Sequence, residues 1–295
     1  RQEKKELNQK AYDEKLGRLG EAIHHLDLGG FEGVPDSLEC LYANKNYAEL
    51  TSRIDSLSEL DPKNIRVAAV SAFVAHQMKK KDPYPFCANP LDFVLNKNLL
   101  EYEQNTYTLM DEIIKEAKSY KLGWESRTTK NGYQGSTDLF VNPSENIALL
   151  ERIVLRALDD YYDMFKRETN SLIRLWPERP KIYGWYNRLL KNGYQTAHIH
   201  PNGWLSGVIY LKTVDSFDTD EGAIELSLHG SISLHGSKNL PVRDDNCPKK
   251  LHRPRRGDII FFPSSLFHRT IPFSQDTERC VIAFDLKPAK VEFRI

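Results

Sequence analysis

Apolar residues in the first part of the chain recur at intervals of three and four. Ala48, Leu50, Ile54, Leu57 and Leu60 make one such stripe, closed by Asp61-Pro62, and Val67, Val70, Val74 and Met78 make the next. This spacing places each set on one face of a helix, and the Asp-Pro step marks the turn between them. The stretch 82–90 (DPYPFCANP) carries Pro83, Pro85 and Pro90 and cannot continue a helix. A further helical stretch is predicted over 99–120. The texture of residues 123–142 (GWESRTTKNGYQGSTDLFVN) predicts turns and short strands instead. Ile147, Leu150, Val154, Leu158, Tyr161 and Phe165 outline one more amphipathic helix. From Lys181 onward the period shortens. KIYGWYNRLL, TAHIH, WLSGVIYLK, GAIELSL, DIIFFP and ERCVIAFDL read as strands separated by Gly, Pro, Asn and Asp.

The fold class that follows is α+β, with a helical region over 1–120 and a β-rich domain over 121–295. Short strands without helices between them point to an antiparallel sandwich or jelly roll rather than a doubly wound sheet. The helix, Asp-Pro-x-Asn, helix layout of 48–78 resembles a single degenerate tetratricopeptide-type unit, although no second copy recurs at a fixed period. The 295 residues suffice for one to two domains. Lys and Arg total 41 and so do Asp and Glu, which leaves no basic field for nucleic acid, and none is expected as a partner. No apolar run reaches the roughly 18 residues of a membrane span. Cys40, Cys87, Cys247 and Cys280 are too scattered for a clustered zinc site and fit a reducing, intracellular setting. The chain opens on Arg1 rather than Met, so further sequence is expected upstream.

The chemistry concentrates in TAHIHPNGWLSGVIYL. On an extended backbone residues i and i+2 share a face, so His198 and His200 project together, and two adjacent imidazoles can converge on one first-row metal ion. Pro201 removes a ladder donor directly after them, which places the pair at a strand end beside a loop. In GDIIFFPSSLFHRTIPF, His268 follows the strand-breaking Pro263 by five residues and can reach back over the sheet. In ERCVIAFDL, Arg279, Val281 and Ala283 share one face, and Cys280, Ile282, Phe284 and Leu286 the other. A guanidinium beside small side chains leaves room for a ligand, and its planar fork matches a carboxylate.

His-x-His-Pro at 198–201, Ser-Gly-Val-x-Tyr-Leu at 206–211, Phe-Pro-Ser at 262–264 and Glu-Arg-x-x-x-Ala-Phe at 278–284 together resemble the 2-oxoglutarate/Fe(II)-dependent oxygenases. The similarity runs from about Trp124 to Leu286. It implies a double-stranded β-helix, a cupin-like jelly roll, with Fe(II), 2-oxoglutarate and O2 at its open mouth. It implies His198 as proximal ligand, His268 as distal ligand and Arg279 as partner of the far carboxylate of 2-oxoglutarate. Tyr210 and Ser206 become candidate hydroxyl contacts to the same co-substrate. The implied reaction couples decarboxylation of 2-oxoglutarate to succinate with hydroxylation of a substrate C–H bond.

This chain departs from the commonest pattern at one place: His200 stands where that pattern has Asp or Glu. Three arrangements remain open, namely three histidines, two histidines with water, or a carboxylate brought from elsewhere, such as Glu225 or Asp258. The first is preferred, with His198, His200 and His268 as the metal and catalytic set. It leaves the ion's full double charge, where one ligating carboxylate would halve it, and so favours a dianionic co-substrate. Two other functions compete: a three-histidine cupin-type dioxygenase that needs no 2-oxoglutarate, and a non-enzymatic binding module. A peptide, protein or small molecule is the expected substrate, the first two because helical-repeat surfaces present peptides.

The remaining candidates read as structural. His229 and His235 are expected to face solvent, as are His24 and His25. Trp185 and Trp204 read as packing residues, Trp204 with the added chance of walling the pocket because it adjoins the histidine pair. Cys280 faces away from Arg279 as a packed thiol. The basic segment 249–258 (KKLHRPRRGD) reads as a solvated loop, with docking of an acidic substrate as the sharper alternative. No phosphate-binding glycine loop, nucleophile elbow or HExxH occurs.

Overall fold

The computed structural model describes residues 34–215, 218–229 and 247–287. Over these residues the chain divides into two compact units, with the division after Ala88.

The first unit is helical. It comprises α1 (Val34–Ala43), α2 (Tyr47–Leu60) and α3 (Ile65–Gln77). α2 buries Leu50, Ile54 and Leu57, three members of its predicted stripe. The Asn64 side chain accepts the backbone N–H groups of Arg66 and Val67, which satisfies donors that the first turn of α3 would otherwise leave open. The helical run ends at Gln77, ahead of Pro83 and Pro85. Asp82 turns back into the unit, where its Oδ1 accepts Ser71 Oγ–H at 2.5 Å and the Tyr84 N–H at 2.9 Å.

The second unit is built on strands β1 (Leu95–Asn98), β2 (Leu122–Trp124), β3 (Thr129–Gly135), β4 (Ile182–Gln195), β5 (Leu205–Lys212), β6 (Ile224–Ser227), β7 (Lys249–His252), β8 (Asp258–Pro263), β9 (Phe267–Thr270) and β10 (Arg279–Leu286). Helices α4 (Thr106–Glu116), α5 (Glu145–Phe165) and α6 (Ser171–Arg174) interrupt them. The strands form a seven-stranded sheet in the order β1-β8-β5-β10-β4-β3-β2 and a three-stranded sheet in the order β7-β6-β9. Every pairing is antiparallel. This is the expected jelly-roll core in an α+β chain.

The core between the sheets joins Val208 and Tyr210 of β5, Ile260 and Phe262 of β8 and Val281 of β10 to Ile224 and Leu226 of β6. Burying each such aliphatic or aromatic side chain contributes about 1.5–3 kcal/mol. The outer face of the large sheet is covered as well. α5 buries Ile147, Leu150, Val154, Leu158 and Tyr161 along one stripe, and the Tyr161 ring lies 5.8 Å from that of Phe261 on β8. Apolar cover on both faces explains why DIIFFP and VIYL lack the alternation of a half-exposed strand.

Several elements differ from the sequence reading. Residues 95–98 (LNKN) form an edge strand paired with β8, so the sheet-bearing unit begins at Asn89 rather than near 121. Their apolar content gives no hint of this, because pairing there uses the backbone. The region 99–120 is a short 3-10 turn followed by α4 rather than one helix. TAHIH is no separate strand: β4 continues to Gln195, and His198 makes only an isolated bridge to His268. Residues 249–252 of the basic segment form β7.

Candidate metal centre and adjoining pocket

Strand parity builds the site. In the register of β5 against β10, Ser206 stands opposite Asp285, Val208 opposite Ala283 and Tyr210 opposite Val281. These side chains share the inner face of the large sheet with Arg279, and Trp185 and Asn187 of β4 continue that face. The second wall comes from the small sheet. His268 lies on β9 opposite Leu226, and Thr270 opposite Ile224. His198 N–H donates to His268 O at 3.1 Å and His268 N–H to His198 O at 3.0 Å. This reciprocal pair sets the two imidazoles side by side, with ring centroids 4.2 Å apart. His200 is held by its N–H to Ser264 O at 3.1 Å, and its ring centroid lies 5.3 Å from that of His198 and 4.8 Å from that of His268.

Each imidazole meets an acceptor through Nδ1. His198 Nδ1 faces Thr196 O at 2.7 Å, His200 Nδ1 faces Asp285 Oδ1 at 2.6 Å and His268 Nδ1 faces Leu266 O at 3.4 Å. Carbonyl and carboxylate oxygens only accept, so these nitrogens carry the proton and Nε2 carries the lone pair. The Nε2 atoms of His198 and His200 stand 3.3 Å apart. One ligand atom from each of the three rings lies within 4.8 Å of the others, the arrangement able to hold a metal ion. Burial, reinforced by the neighbouring His200, lowers the His198 pKa to about 4, against the opposing bond to Thr196 O. Burial and then the His198 and His200 rings hold His268 well below the usual imidazole range. Both are therefore neutral at physiological pH, the form in which imidazole binds metal.

Arg279 is 2% exposed. Its Nε–H donates to Gly222 O at 3.1 Å, and its guanidinium carbon lies 4.9 Å over the Tyr210 ring. Gly222 has φ +73°, a left-handed conformation that suits glycine, and a Cβ there would press on Val214 at 3.0 Å. No carboxylate among the described residues forms an ion pair with Arg279. The Tyr210 hydroxyl is buried without a hydrogen-bond partner among the described residues, and burial pushes its pKa up to about 12 against the pull of Arg279. A buried cation without an anion, next to an orphaned hydroxyl, is the environment a small carboxylate ligand would complete.

His198, His200, His268 and Arg279 line one cavity of about 170 Å³, closed by Val208, Ile224, Val281 and Ala283 and bordered by Trp185. A second, more open groove of about 770 Å³ shares His200, Trp185 and Gln134 with it and runs past Pro201, Asn202, Tyr183 and Lys287. Four of the sequence-derived site residues thus meet in one pocket, with Tyr210 packed against Arg279.

Ser206 is placed differently. Its hydroxyl lies behind the His200 ring, 2.7 Å from Asp285 Oδ1, 2.8 Å from Ser264 Oγ and 3.0 Å from His200 Nδ1. Glu225 pairs with Arg269 at 2.8 Å, and Asp258 binds Asn98 and His252, so neither carboxylate joins the rings. Sequence reasoning missed Asp285, although it shares parity with Arg279 on β10. Trp185, with its ring 5.4 Å from His200, walls the pocket, whereas Trp204 is buried and donates Nε1–H to Leu172 O at 2.9 Å.

Cys280 is a buried thiol on the opposite face, and burial raises its pKa. His229 is partly buried rather than solvent-facing, 6.4 Å from the Phe267 ring. His24, His25 and His235 lie outside the described residues. In the basic segment Arg253 pairs with Asp220 at 2.6 Å and Arg256 with Asp111. Among the described residues no helix is long and apolar enough to cross a membrane.

Comparison with known proteins places these features. Residues 183–285 match the family described as "Putative 2OG-Fe(II) oxygenase". No curated protein sequence matches the chain. Among solved structures the chain is similar to a prolyl-4-hydroxylase from Pseudomonas putida, at 13% identity over 69% of this chain and 96% of that one, with a TM-score of 0.47. It is also similar to HygX from Streptomyces hygroscopicus, solved with nickel and 2-oxoglutarate bound, at 14% identity over 66% and 82% of the two chains (TM-score 0.43). A prolyl hydroxylase from Trichoplax adhaerens, solved with a hypoxia inducible factor peptide fragment, aligns at 11% identity over 81% of this chain and 92% of its own (TM-score 0.45). The matched stretch from Tyr183 to Asp285 carries the three imidazoles and the buried arginine, and what it is similar to is the 2-oxoglutarate/Fe(II)-dependent oxygenases.

Proposed function

We propose that His198, His200 and His268 hold Fe(II), that Arg279 receives the distal carboxylate of 2-oxoglutarate, and that the chain hydroxylates a C–H bond of a peptide, protein or small molecule. The observation that carries this reading is the meeting of three metal-competent imidazoles and an unpaired guanidinium in one cavity. The donor set fits the ion: neutral imidazole is a common ligand of first-row metals at about 2.0–2.2 Å, and three such ligands leave open positions for co-substrate and oxygen. The anion site fits as well, because a carboxylate would satisfy both the buried Arg279 charge and the orphaned Tyr210 hydroxyl.

The bound metal and co-substrate supply the oxidising chemistry, with succinate as by-product. The protein's residues position and shield. Gly222 O fixes Arg279 through Nε and leaves the outer edge of the guanidinium for the ligand. Val208, Ile224, Val281 and Ala283 exclude water around it. Trp185 and His200 line both the cavity and the wider groove, which suits that groove to the substrate. The α2–α3 pair, laid out like a tetratricopeptide-type unit, favours a peptide or protein.

Anaerobic addition of Fe(II) and 2-oxoglutarate should produce a weak visible charge-transfer band that requires both, and admission of oxygen should release succinate. His268→Ala should lose the band. Turnover without 2-oxoglutarate would replace this reading with a cupin-type dioxygenase. Failure to bind any divalent metal would leave a non-enzymatic binding module.

A further inference from the structure

The carboxylate absent from the ring of ligands stands one hydrogen bond behind it. Asp285 Oδ1 accepts from His200 Nδ1 at 2.6 Å and from Ser206 Oγ at 2.7 Å, and Ser264 Oγ lies 2.8 Å from Ser206 Oγ. The Asp285 side chain is 9% exposed and that of His200 11%, so the pair is shielded from solvent. The sequence builds this contact closely. Asp285 is paired with Ser206 across β5 and β10, and a Cβ on Gly203 would fall 2.6 Å from Ser264 Oγ and 2.9 Å from Asp285 Cγ. Only a residue without a side chain lets the 200–203 turn sit this near the carboxylate. The other two rings rest on neutral carbonyls, so His200 alone is backed by a charge.

We propose that Asp285 is the positioning residue of the metal centre: it fixes His200 with Nε2 toward the ion and supplies through the imidazole the negative charge that a ligating carboxylate would bring. An imidazole that donates Nδ1–H to a carboxylate is a stronger σ-donor than one bonded to a carbonyl, and such outer partners typically change metal affinity by about 10–100-fold. The centre then keeps three nitrogen ligands while the dianionic co-substrate meets a field close to that of the two-histidine, one-carboxylate arrangement. This inference rests on His200 being a ligand.

The test is Co(II) affinity, by chelator competition, of the wild type, Asp285→Ala, Asp285→Asn, His200→Ala and the His200→Ala/Asp285→Ala double variant. It is paired with two-dimensional 1H–15N spectra of the imidazoles in the metal-free protein. Asp285→Ala should weaken Co(II) by about 10–100-fold and shift the His200 Nδ1 resonance, because only the neutral Ser206 hydroxyl then remains beside it. His200→Ala should weaken it at least as much, and the double variant should match His200→Ala, since Asp285 acts only through that ring. Asp285→Asn keeps an acceptor for Nδ1–H but not the charge. It should preserve the tautomer with a smaller loss of affinity, and it decides the matter if Asp285→Ala fails to fold. Wild-type affinity in both Asp285 variants, with His200→Ala impaired, would overturn the role of Asp285 and leave His200 a ligand. Wild-type affinity in His200→Ala would overturn the ligand assignment itself.

Discussion

A guanidinium enclosed by protein without a paired carboxylate is costly, and under the proposed function Arg279 keeps that cost as the receptor for an anion. Arg279→Ala should raise the KM for 2-oxoglutarate about 30-fold or more, the equivalent of the roughly 2 kcal/mol lost when one partner of a buried charged pair is removed. Co(II) affinity should stay within about twofold, as the guanidinium does not touch the rings. Tyr210 carries the opposite bargain. Its hydroxyl is unpartnered, so Tyr210→Phe should stabilise the ligand-free protein by about 1–2 kcal/mol in thermal unfolding while weakening 2-oxoglutarate. At this scale much of the site was legible in the sequence: His198, His200, His268 and Arg279 each announce their chemistry by residue type. Asp285 does not, because one aspartate at the end of an apolar strand looks like a solvated terminus until the register sets it against Ser206.

Elements were legible where burial imposes a pattern. β5, β8 and β10 match apolar runs closely, and α2, α3 and α5 match their stripes. β1 and β9 are missed for one reason: LNKN and FHRT owe their pairing to neighbours distant in sequence, and only tertiary contacts select it. The turn after α3 makes its own prediction. Burial raises the Asp82 pKa to about 6, against lowering by the bonds from Ser71 and Tyr84. The folded protein therefore binds this proton more tightly than the unfolded chain, whose value is 3.8. Stability from this group is full below pH 3.8 and is lost as pH rises through about 6, by up to about 3 kcal/mol at 1.36 kcal/mol per unit. Unfolding followed from pH 4 to pH 7.5 should show this decline in the wild type. In Asp82→Asn, which keeps an acceptor and cannot ionise, the decline should vanish.

Over the whole molecule the determinants of the site are long-range. Residues 198, 268 and 279 come from three separate strands or loops, and two sheets must close before they meet. Ligands that bind only this closed state stabilise it by mass action: Fe(II) and 2-oxoglutarate, each at a hundred times its dissociation constant, should each add about 2.7 kcal/mol to unfolding. In anaerobic thermal denaturation Arg279→Ala should lose the 2-oxoglutarate share and keep that of the metal. The paired backbone bonds between His198 and His268 carry a last consequence. Two proposed ligands seventy positions apart in the chain hang from one rung of backbone, so their spacing is set by the scaffold rather than by an ion. Demetallation should leave the circular dichroism spectrum unaltered, and reloading should proceed without refolding, as in a socket that keeps its shape between occupants.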